Sequence, residues 1–232
     1  MKNSQLEEPV IVYEDNHIIV VLKPQMVACC PDESGYDNLF DCVKRYLKTT
    51  YNKPGNVFLG LVHRLDRPTG GVMVYAKTSK AAARLTEQIK EGGFEKRYLC
   101  VLNGVPGEKR GILENYLRKN SVNNTVYVCT QTEEGAKLAS LDYEVKEVNG
   151  DLALTEVNLH TGRTHQIRVQ MAYINCPLYG DMRYGGDKAV KGNLALWAYS
   201  LCFTHPTTGE RMRFKIEPPK GSGVWKLFKI EV

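Results

Sequence analysis

Two short apolar runs enclose a charged loop, and this arrangement constrains the fold more than any other stretch of the chain. The runs are residues 57–62 and 72–76, and the loop between them, residues 63–71, reads His-Arg-Leu-Asp-Arg-Pro-Thr-Gly-Gly. Both runs are partly β-branched and bounded by glycine, which predicts two buried strands and not one helix. Pro68 and the pair Gly70-Gly71 exclude a regular helix between the runs and allow a tight loop.

The loop carries one carboxylate, Asp66, between Arg64 and Arg67. A charged loop held between core strands is a common place for a reactive group, because the strands give it a rigid base. The same residues are compatible with a solvated turn that carries a surface ion pair, and for this stretch alone that is the simpler interpretation. The rest of the chain has to decide between the two.

The composition excludes several classes of protein. Of 232 residues, 43% are hydrophobic and 25% are charged, as in globular proteins, which argues against disorder. No apolar run approaches the ~20 residues that span a bilayer, and the polar start has no signal-peptide hydrophobic region. We therefore expect a cytoplasmic protein without a membrane partner. The net charge of +5 favours an anionic partner such as nucleic acid.

The cysteines and the known motifs exclude most cofactor sites. Seven scattered cysteines without C-x-x-C spacing argue against a disulfide framework and a structural zinc site. Five histidines without an H-x-x-H or H-E-x-x-H pattern leave no plausible metal ligands. No phosphate-binding glycine loop and no G-x-S-x-G turn is present. What remains is a site without a metal or cofactor, built from one aspartate, one tyrosine and several arginines.

The periodicity predicts many strands and few helices. Predicted strands outside the two apolar runs cover residues 10–13, 17–22, 97–105, 194–204 and 211–216. Short strands between residues 112 and 160 are separated by turns at Asn123-Asn124, Glu134-Gly135 and Asn149-Gly150. Predicted helices cover residues 36–50, 80–91 and 164–174, with a short closing helix near residues 224–228. Ser34 or Asp37 is expected to cap the first helix.

Together these elements predict one α+β domain. We expect a mixed, mostly antiparallel central sheet with flanking helices over residues 9–232, after a polar tail of residues 1–8.

Polar groups concentrate beside turns in three segments. These are Asp66 with Arg64, Lys96-Arg97-Tyr98, and residues 161–168, which read Thr-Gly-Arg-Thr-His-Gln-Ile-Arg. In the third segment His165 and Arg168 are three residues apart on the predicted helix and would share one face. Taken singly, these residues are compatible with solvated arginines and a histidine bonded to a nearby carbonyl.

These motifs resemble those of the RluA family of RNA pseudouridine synthases. Residues 63–71 closely resemble the family's signature, residues 96–99 are similar to its tyrosine motif, and residues 161–168 match its basic motif. Residues 180–186, Gly-Asp-Met-Arg-Tyr-Gly-Gly, and the hairpin at 194–214 are similar to its closing segments. The motifs occur in the family's order over nearly the whole chain, which makes the resemblance specific.

The resemblance implies an isomerase that breaks the N-glycosidic bond of a uridine, turns the uracil and rejoins it through carbon, without a cofactor. Asp66 would be the nucleophile, attacking the anomeric carbon or promoting elimination there. Arg168 would pair with Asp66 and favour its ionised form, and Tyr98 would stack on the target base. One departure from the family is Val-Ala-Cys-Cys at residues 27–30, after Lys23-Pro24, where a glycine is usual; the role of this segment stays open.

The implied partner is structured RNA, ribosomal or transfer, and not DNA. Arg64 would fill the gap left by the flipped nucleotide, and His63, Arg163 and His165 would contact RNA. Only eight residues precede Pro9, so we expect no N-terminal RNA-binding domain of the kind that some relatives carry, and we expect a monomer. The alternative is a non-catalytic RNA-binding or RNA-folding module that keeps the same pocket. A glycoside hydrolase would need a second acidic group, which the motifs do not offer.

Overall fold

The computed structural model describes residues 6, 8–32, 35–120 and 122–230. The chain divides into two compact units. The first is drawn from Met1–Glu95 and Ser200–Ile216, and the second from Lys96–Tyr199 and Glu217–Val232. Within the described part of the chain, no helix is long and apolar enough to cross a membrane.

The first unit places the Asp66 loop on a small antiparallel sheet. Its strands and helices are β1 (Val10–Glu14), β2 (Ile18–Lys23), α1 (Leu39–Thr50), β3 (Gly60–Leu61), β4 (Gly70–Ala76) and α2 (Ser79–Lys90). β2 lies between β1 and β4, and β3 pairs with the end of β4 far from the loop. Because β4 is buried along its whole length, the returning end of the Asp66 loop is fixed by the core.

The core of the first unit is formed by branched and aromatic side chains from the sheet, α2 and a later hairpin. The buried residues of this cluster are Ile18, Val20, Val72, Val74, Ala76, Ala81, Leu85, Phe94, Leu201 and Phe203. Leu201 and Phe203 come from β10 (Leu196–Thr204), whose end pairs with β11 (Arg211–Lys215). Removing these apolar side chains from water is the main force that holds the unit together.

Helix α1 begins at a different cap from the two that were predicted. Asn38 is the N-cap, and its Oδ1 accepts a hydrogen bond from Asp41 N at 3.0 Å. The Asp37 carboxylate instead accepts from Leu6 N at 3.1 Å, so the prediction for Asp37 is wrong. Ser34, the other predicted cap, lies outside the described residues. Asparagine and aspartate cap equally well, so propensity could not distinguish neighbouring positions.

The second unit is a long antiparallel sheet with one helix. Its strands are β5 (Glu95–Asn103), β6 (Arg110–Asn120), β7 (Thr125–Cys129), β8 (Lys137–Asn149) and β9 (Leu152–Leu159), and its helix is α3 (Gln166–Tyr173). The strand order β5-β9-β8-β6-β7 is antiparallel throughout. The predicted turns at residues 123–124, 134–135 and 149–150 are confirmed, although β8 is longer than the short strands that were expected there.

One face of the second unit's sheet is covered by α3. Val169 of α3 packs against Ala139 of β8 and against Leu117 and Val126. Side chains directly opposite in an antiparallel ladder share a face, and alternate residues of a strand do so too. Ala139, two residues from Leu141, therefore lies on the same face as Leu159, which opposes Leu141. Lys96 of β5 lies opposite Leu159, so every second residue of β5, counted from Lys96, also has its side chain on this face.

The predicted α+β class on mostly antiparallel strands with flanking helices is confirmed. The first apolar run is only partly a strand, because just Gly60 and Leu61 of it find a partner on β4, while the side chain of Phe58 is exposed. The closing segment forms a short 3-10 helix at Gly223–Leu227. The predicted domain bounds, 1–8 and 9–232, stay predictions.

Candidate active site

Asp66 lies in a tight turn between β3 and β4. Thr69 N donates a hydrogen bond to Asp66 O at 2.9 Å, which closes the turn. Leu65 and Thr69 on either side are buried, whereas Asp66 itself is partly exposed. Gly71, where the loop enters β4, has a φ of 128°, which only glycine adopts readily. The turn therefore exposes a carboxylate between two buried anchors.

Lys23, at the end of β2, holds the backbone of this turn. Its ammonium donates to Arg67 O at 3.0 Å and to Pro24 O at 2.9 Å. Its side chain is 0% exposed, and burial lowers its pKa from 10.5 to about 8, although the negative charge of Asp66 acts in the opposite direction. The attraction of Asp66 thus offsets a small part of the cost of burying the Lys23 ammonium.

The segment with the unusual Val-Ala-Cys-Cys sequence fixes the same loop. The Cys29 thiol donates to Leu65 O at 2.9 Å and accepts from Leu65 N at 3.1 Å. Burial raises the pKa of Cys29, only partly opposed by the Lys23 charge and the Leu65 amide, so the thiol stays neutral near pH 7. Gln25 Nε2 adds a bond to Pro68 O at 3.1 Å. The sequence patterns did not reveal these roles, because they depend on contacts about 40 residues apart.

The two arginines of the loop differ in their surroundings. Arg67 Nε donates to Met26 O at 3.2 Å, and its guanidinium lies 5.1 Å from the centre of the Tyr36 ring. Arg64 is exposed. Arg67 thus helps to fix the loop, while Arg64 is in a position to meet a ligand from solution.

His63 contacts the core of the first unit. Its Nε2 accepts a hydrogen bond from Val74 N at 3.1 Å, and its ring lies 5.5 Å from the Phe94 ring. These contacts join the start of the loop to β4. The RNA contact predicted for His63 stays a prediction.

In the second unit, the tyrosine motif divides its side chains between the two faces of the sheet. Tyr98 is buried and lies opposite Val157 of β9. Arg97 points to the other face, where Nη1 bonds Glu156 at 3.0 Å. Lys96 and Tyr98, two residues apart, share the face that α3 covers. The strand register therefore puts Tyr98 and the basic motif on one side of the sheet.

Arg168 of α3 is clamped by Asp181. Its Nε and Nη2 donate to the two carboxylate oxygens, each at 2.7 Å, and both residues are buried. Burial alone would raise the pKa of Asp181, but the hydrogen bonds and charge of Arg168, with the amides of Arg183 and Tyr184, lower it overall. The pair is thus ionised and bidentate. The predicted pairing of Arg168 with Asp66, a residue of the other unit, stays a prediction.

The glycines around Asp181 explain the closing motif at residues 180–186. Gly180 has a φ of 78°, and a Cβ there would lie 2.2 Å from Asn193 O. A Cβ at Gly185 would lie 2.5 Å from Asp181 O. Backbone passes too close for any side chain at either position, so glycine is required to hold the clamp. The sequence showed this motif only as a resemblance, without a role.

His165 does not lie on the helix as predicted. It is the N-cap of α3 in a left-handed conformation, with a φ of 53°, so the inference of a shared helical face is wrong. The two residues still converge, because His165 Nδ1 lies 2.7 Å from the Tyr184 hydroxyl and the Arg168 guanidinium lies 5.1 Å from the centre of the same ring. Val126 N donates to that hydroxyl at 2.9 Å. Tyr184 is a contact that the motif spacing did not reveal.

Arg163 is exposed at the turn before α3. Its Nε donates to Leu138 O at 2.8 Å, and its backbone N donates to Gln166 Oε1 at 3.0 Å. Gln166 Oε1 also accepts from the Thr161 hydroxyl at 2.8 Å. The turn is therefore held by side-chain bonds, and its basic residue faces solvent.

No group of three or more His, Cys, Asp or Glu side chains among the described residues is placed to hold a metal ion. The expected independence from metals and cofactors stays a prediction.

The sequence model described as RNA pseudouridylate synthase matches residues 17–173. The chain belongs to this family. Like the family, this synthase isomerises uridine in RNA to pseudouridine. The predicted family and reaction class are therefore confirmed.

Several curated relatives match nearly all of the synthase. It is 35% identical to the "Uncharacterized RNA pseudouridine synthase YjbO" of Bacillus subtilis, over 100% of this chain and 80% of that protein. It is 37% identical to "Ribosomal large subunit pseudouridine synthase C" of Escherichia coli, over 93% of this chain and 67% of that protein. It is 34% identical to "Ribosomal large subunit pseudouridine synthase D" of Zymomonas mobilis, over 95% of this chain and 72% of that protein.

Two solved human structures share the fold of the synthase. "Human RNA Pseudouridylate Synthase Domain Containing 4" superposes with a TM-score of 0.77 at 21% identity, covering 94% of this chain and 90% of that one. "Human RNA Pseudouridylate Synthase Domain Containing 1" superposes with a TM-score of 0.72 at 27% identity, covering 94% of this chain and 87% of that one.

Proposed function

We propose that the synthase modifies a uridine of structured RNA, in the first instance large-subunit ribosomal RNA, and that Asp66 is its catalytic nucleophile. Relatives named as ribosomal large-subunit synthases support the target. The observation that carries the catalytic assignment is the turn at Asp66. Leu65 and Thr69 of this turn are buried, and the backbone carbonyls on either side of Asp66 accept hydrogen bonds from Lys23, Gln25 and Cys29. The Asp66 carboxylate is nevertheless partly exposed. A fixed, accessible and ionised carboxylate is what attack at an anomeric carbon requires.

The other motif residues complete the reaction. The Asp66 carboxylate attacks the anomeric carbon of the target uridine or promotes elimination there, and the uracil leaves, turns and returns through its carbon C5. Tyr98 stacks on the uracil, and Arg168 pairs with Asp66 to keep it ionised. The free base must stay bound between the steps, so water has to be excluded from the site. The Tyr98 phenol, with an ordinary tyrosine pKa near ~10, needs a neighbouring group to act as a base.

The exposed arginines hold the RNA. Arg64, beside the nucleophile, occupies the space that the flipped nucleotide leaves in the RNA stack, and Arg163 contacts phosphate. The predicted RNA contacts of His63 and His165 rank second, since both rings already bond within the protein, to Val74 N and to the Tyr184 hydroxyl. The net charge of +5 adds the salt-sensitive part of binding.

In this proposal the synthase acts in the cytoplasm as a monomer on RNA and not on DNA, without a metal or cofactor. Transfer RNA is the second candidate substrate. A non-catalytic RNA-binding or RNA-folding module is the alternative function. It would not need an accessible carboxylate held in a fixed turn, which is why the Asp66 geometry favours the enzyme.

The test compares Asp66→Asn with the wild type. Formation of the carbon–carbon bond releases the hydrogen at C5, so release of tritium from [5-³H]uridine-labelled large-subunit ribosomal RNA measures turnover. We expect Asp66→Asn to abolish release and to leave the unfolding curve and RNA binding unchanged. Asp187→Asn, which alters an exposed aspartate, is the matched control and should keep wild-type turnover. Near-normal turnover by Asp66→Asn would remove the catalytic assignment.

Mapping pseudouridine across total RNA, with and without the gene, tests the target. Loss at one position of large-subunit ribosomal RNA is the expected result. Loss confined to transfer RNA would replace the ribosomal target, and no loss in any RNA would favour the non-catalytic module.

A further inference from the structure

Lys96 is a cation that nothing in the described structure neutralises. No described residue forms a hydrogen bond or an ion pair with its ammonium. Its side chain is only partly exposed, and burial alone lowers its pKa. Leu159 lies directly opposite it on β9, with Leu141 next in the same row. An ammonium in apolar surroundings without a counter-charge is costly, so this position is explained if an anion arrives from outside.

The position of Lys96 indicates which anion. Lys96 is two residues before Tyr98, so the two side chains emerge on one face about 7 Å apart along the strand. Its Nζ reaches the turn of the basic motif, where a Cβ on Gly162 would lie 3.2 Å away. The exposed Arg163 follows in that turn. The ammonium therefore stands between the tyrosine motif and the basic motif, and glycine at position 162 leaves room beside it.

We infer that Lys96 binds a phosphate oxygen of the substrate RNA, next to the nucleotide whose base stacks on Tyr98. This inference rests on the proposed function, because it takes the stacking role of Tyr98 from there. A phosphate is the anion that RNA supplies at every nucleotide, and lysine binds it as a point charge. A uracil carbonyl would offer only a dipole and would leave the partly buried charge of Lys96 uncompensated. The contact positions the flipped nucleotide, and it contributes to binding without taking part in bond breaking.

The test uses the salt dependence of RNA binding, which a purely structural role would not change. Each phosphate contact to a single strand contributes about 0.7 to the slope of log K against log salt concentration. For a transcript of large-subunit ribosomal RNA, we expect Lys96→Met to reduce the magnitude of the wild-type slope by roughly that amount. Lys96→Arg should keep the slope, because it keeps the charge. Lys109→Met, which alters an exposed lysine of the same unit, is the matched control for a general change in charge.

Turnover adds a second readout. Lys96→Met should raise KM several-fold with little change in kcat, and thermal melts should show that the variant is folded. The inference would be overturned if Lys96→Met kept the salt slope of the wild type. It would also be overturned if Lys96→Arg lowered the slope as much as Lys96→Met does. Neither result would touch the proposed function if the wild type turns over and Asp66→Asn does not. Conversely, the wild type could fail to turn over this RNA while Lys96→Met still reduces the salt slope. That result would overturn the proposed target and support the phosphate contact.

Discussion

The buried ammonium of Lys23 should make the stability of this synthase rise with pH above neutrality. Burial lowers the pKa of Lys23 from 10.5 to about 8 in the folded protein. Between those values the unfolded chain binds a proton that the folded protein lacks, so the free energy of unfolding increases with pH. Below pH 8 both states are protonated and the cost of burying the charge is present in full. The contribution is gained as pH rises through the folded pKa and is complete above the unfolded pKa.

The magnitude follows from the difference between the two pKa values. The two pKa values differ by about 2.5, and each pKa unit corresponds to about 1.36 kcal/mol, so the whole range gives about 3 kcal/mol. No reduction for solvent screening is needed, because the side chain is 0% exposed. Between pH 7 and pH 9 the same relation gives about 1 kcal/mol. This narrower window avoids most of the opposing effect of buried thiols such as Cys29, whose pKa is raised by burial.

The assay is urea unfolding of the wild type and Lys23→Met at pH 7, 8 and 9, at constant ionic strength. Groups common to both proteins cancel in the difference between their unfolding free energies. From pH 7 to pH 9 the wild type should gain about 1 kcal/mol of unfolding free energy relative to Lys23→Met. Lys90→Met, at an exposed lysine of α2, should follow the wild type at every pH. Parallel curves for the wild type and Lys23→Met would refute the reasoning, since Lys23 would then titrate at an ordinary pKa.

Two further predictions concern the clamp and the first helix. Asp181→Asn leaves the buried guanidinium of Arg168 without its counter-charge, and we expect the free energy of unfolding to fall by about 3 kcal/mol in urea unfolding at pH 7. A transition midpoint equal to that of the wild type would contradict the bidentate pair. Asn38→Ala removes the cap of α1 and should lower stability by about 1 kcal/mol in thermal melts followed by circular dichroism. Asp37→Ala should cost less, and the reverse order would show that Asp37 is the cap.

Much of the fold was predictable because it depends on local patterns. Alternating and helical apolar periodicity located most of the strands and α2, and the Asn149-Gly150 turn connects β8 and β9 as expected. Local patterns failed where a long-range partner decides the outcome. Residues 57–59 have a strand-like composition, but the pairing with β4 begins only at Gly60, so they form no strand. His165 has helical spacing, yet it adopts a left-handed conformation at the N-cap, with its ring beside the Tyr184 hydroxyl.

The candidate site shows the same division. The motifs identified the family and selected Asp66, Tyr98 and Arg168, because chemistry restricts residue type at short spacing. They could not show that Lys23 bonds the Asp66 turn or that Asp181 holds Arg168.

By itself, the sequence determined the class of fold and the family and selected candidate residues for the reaction, since each depends on residue type and on neighbours along the chain. Only the tertiary structure decided which buried charges have partners. Lys23 is bonded by two carbonyls and Arg168 by a carboxylate, whereas Lys96 has no partner among the described residues. The physical reason is that the cost of a buried charge depends on atoms close in space, and those atoms are contributed by distant parts of the chain.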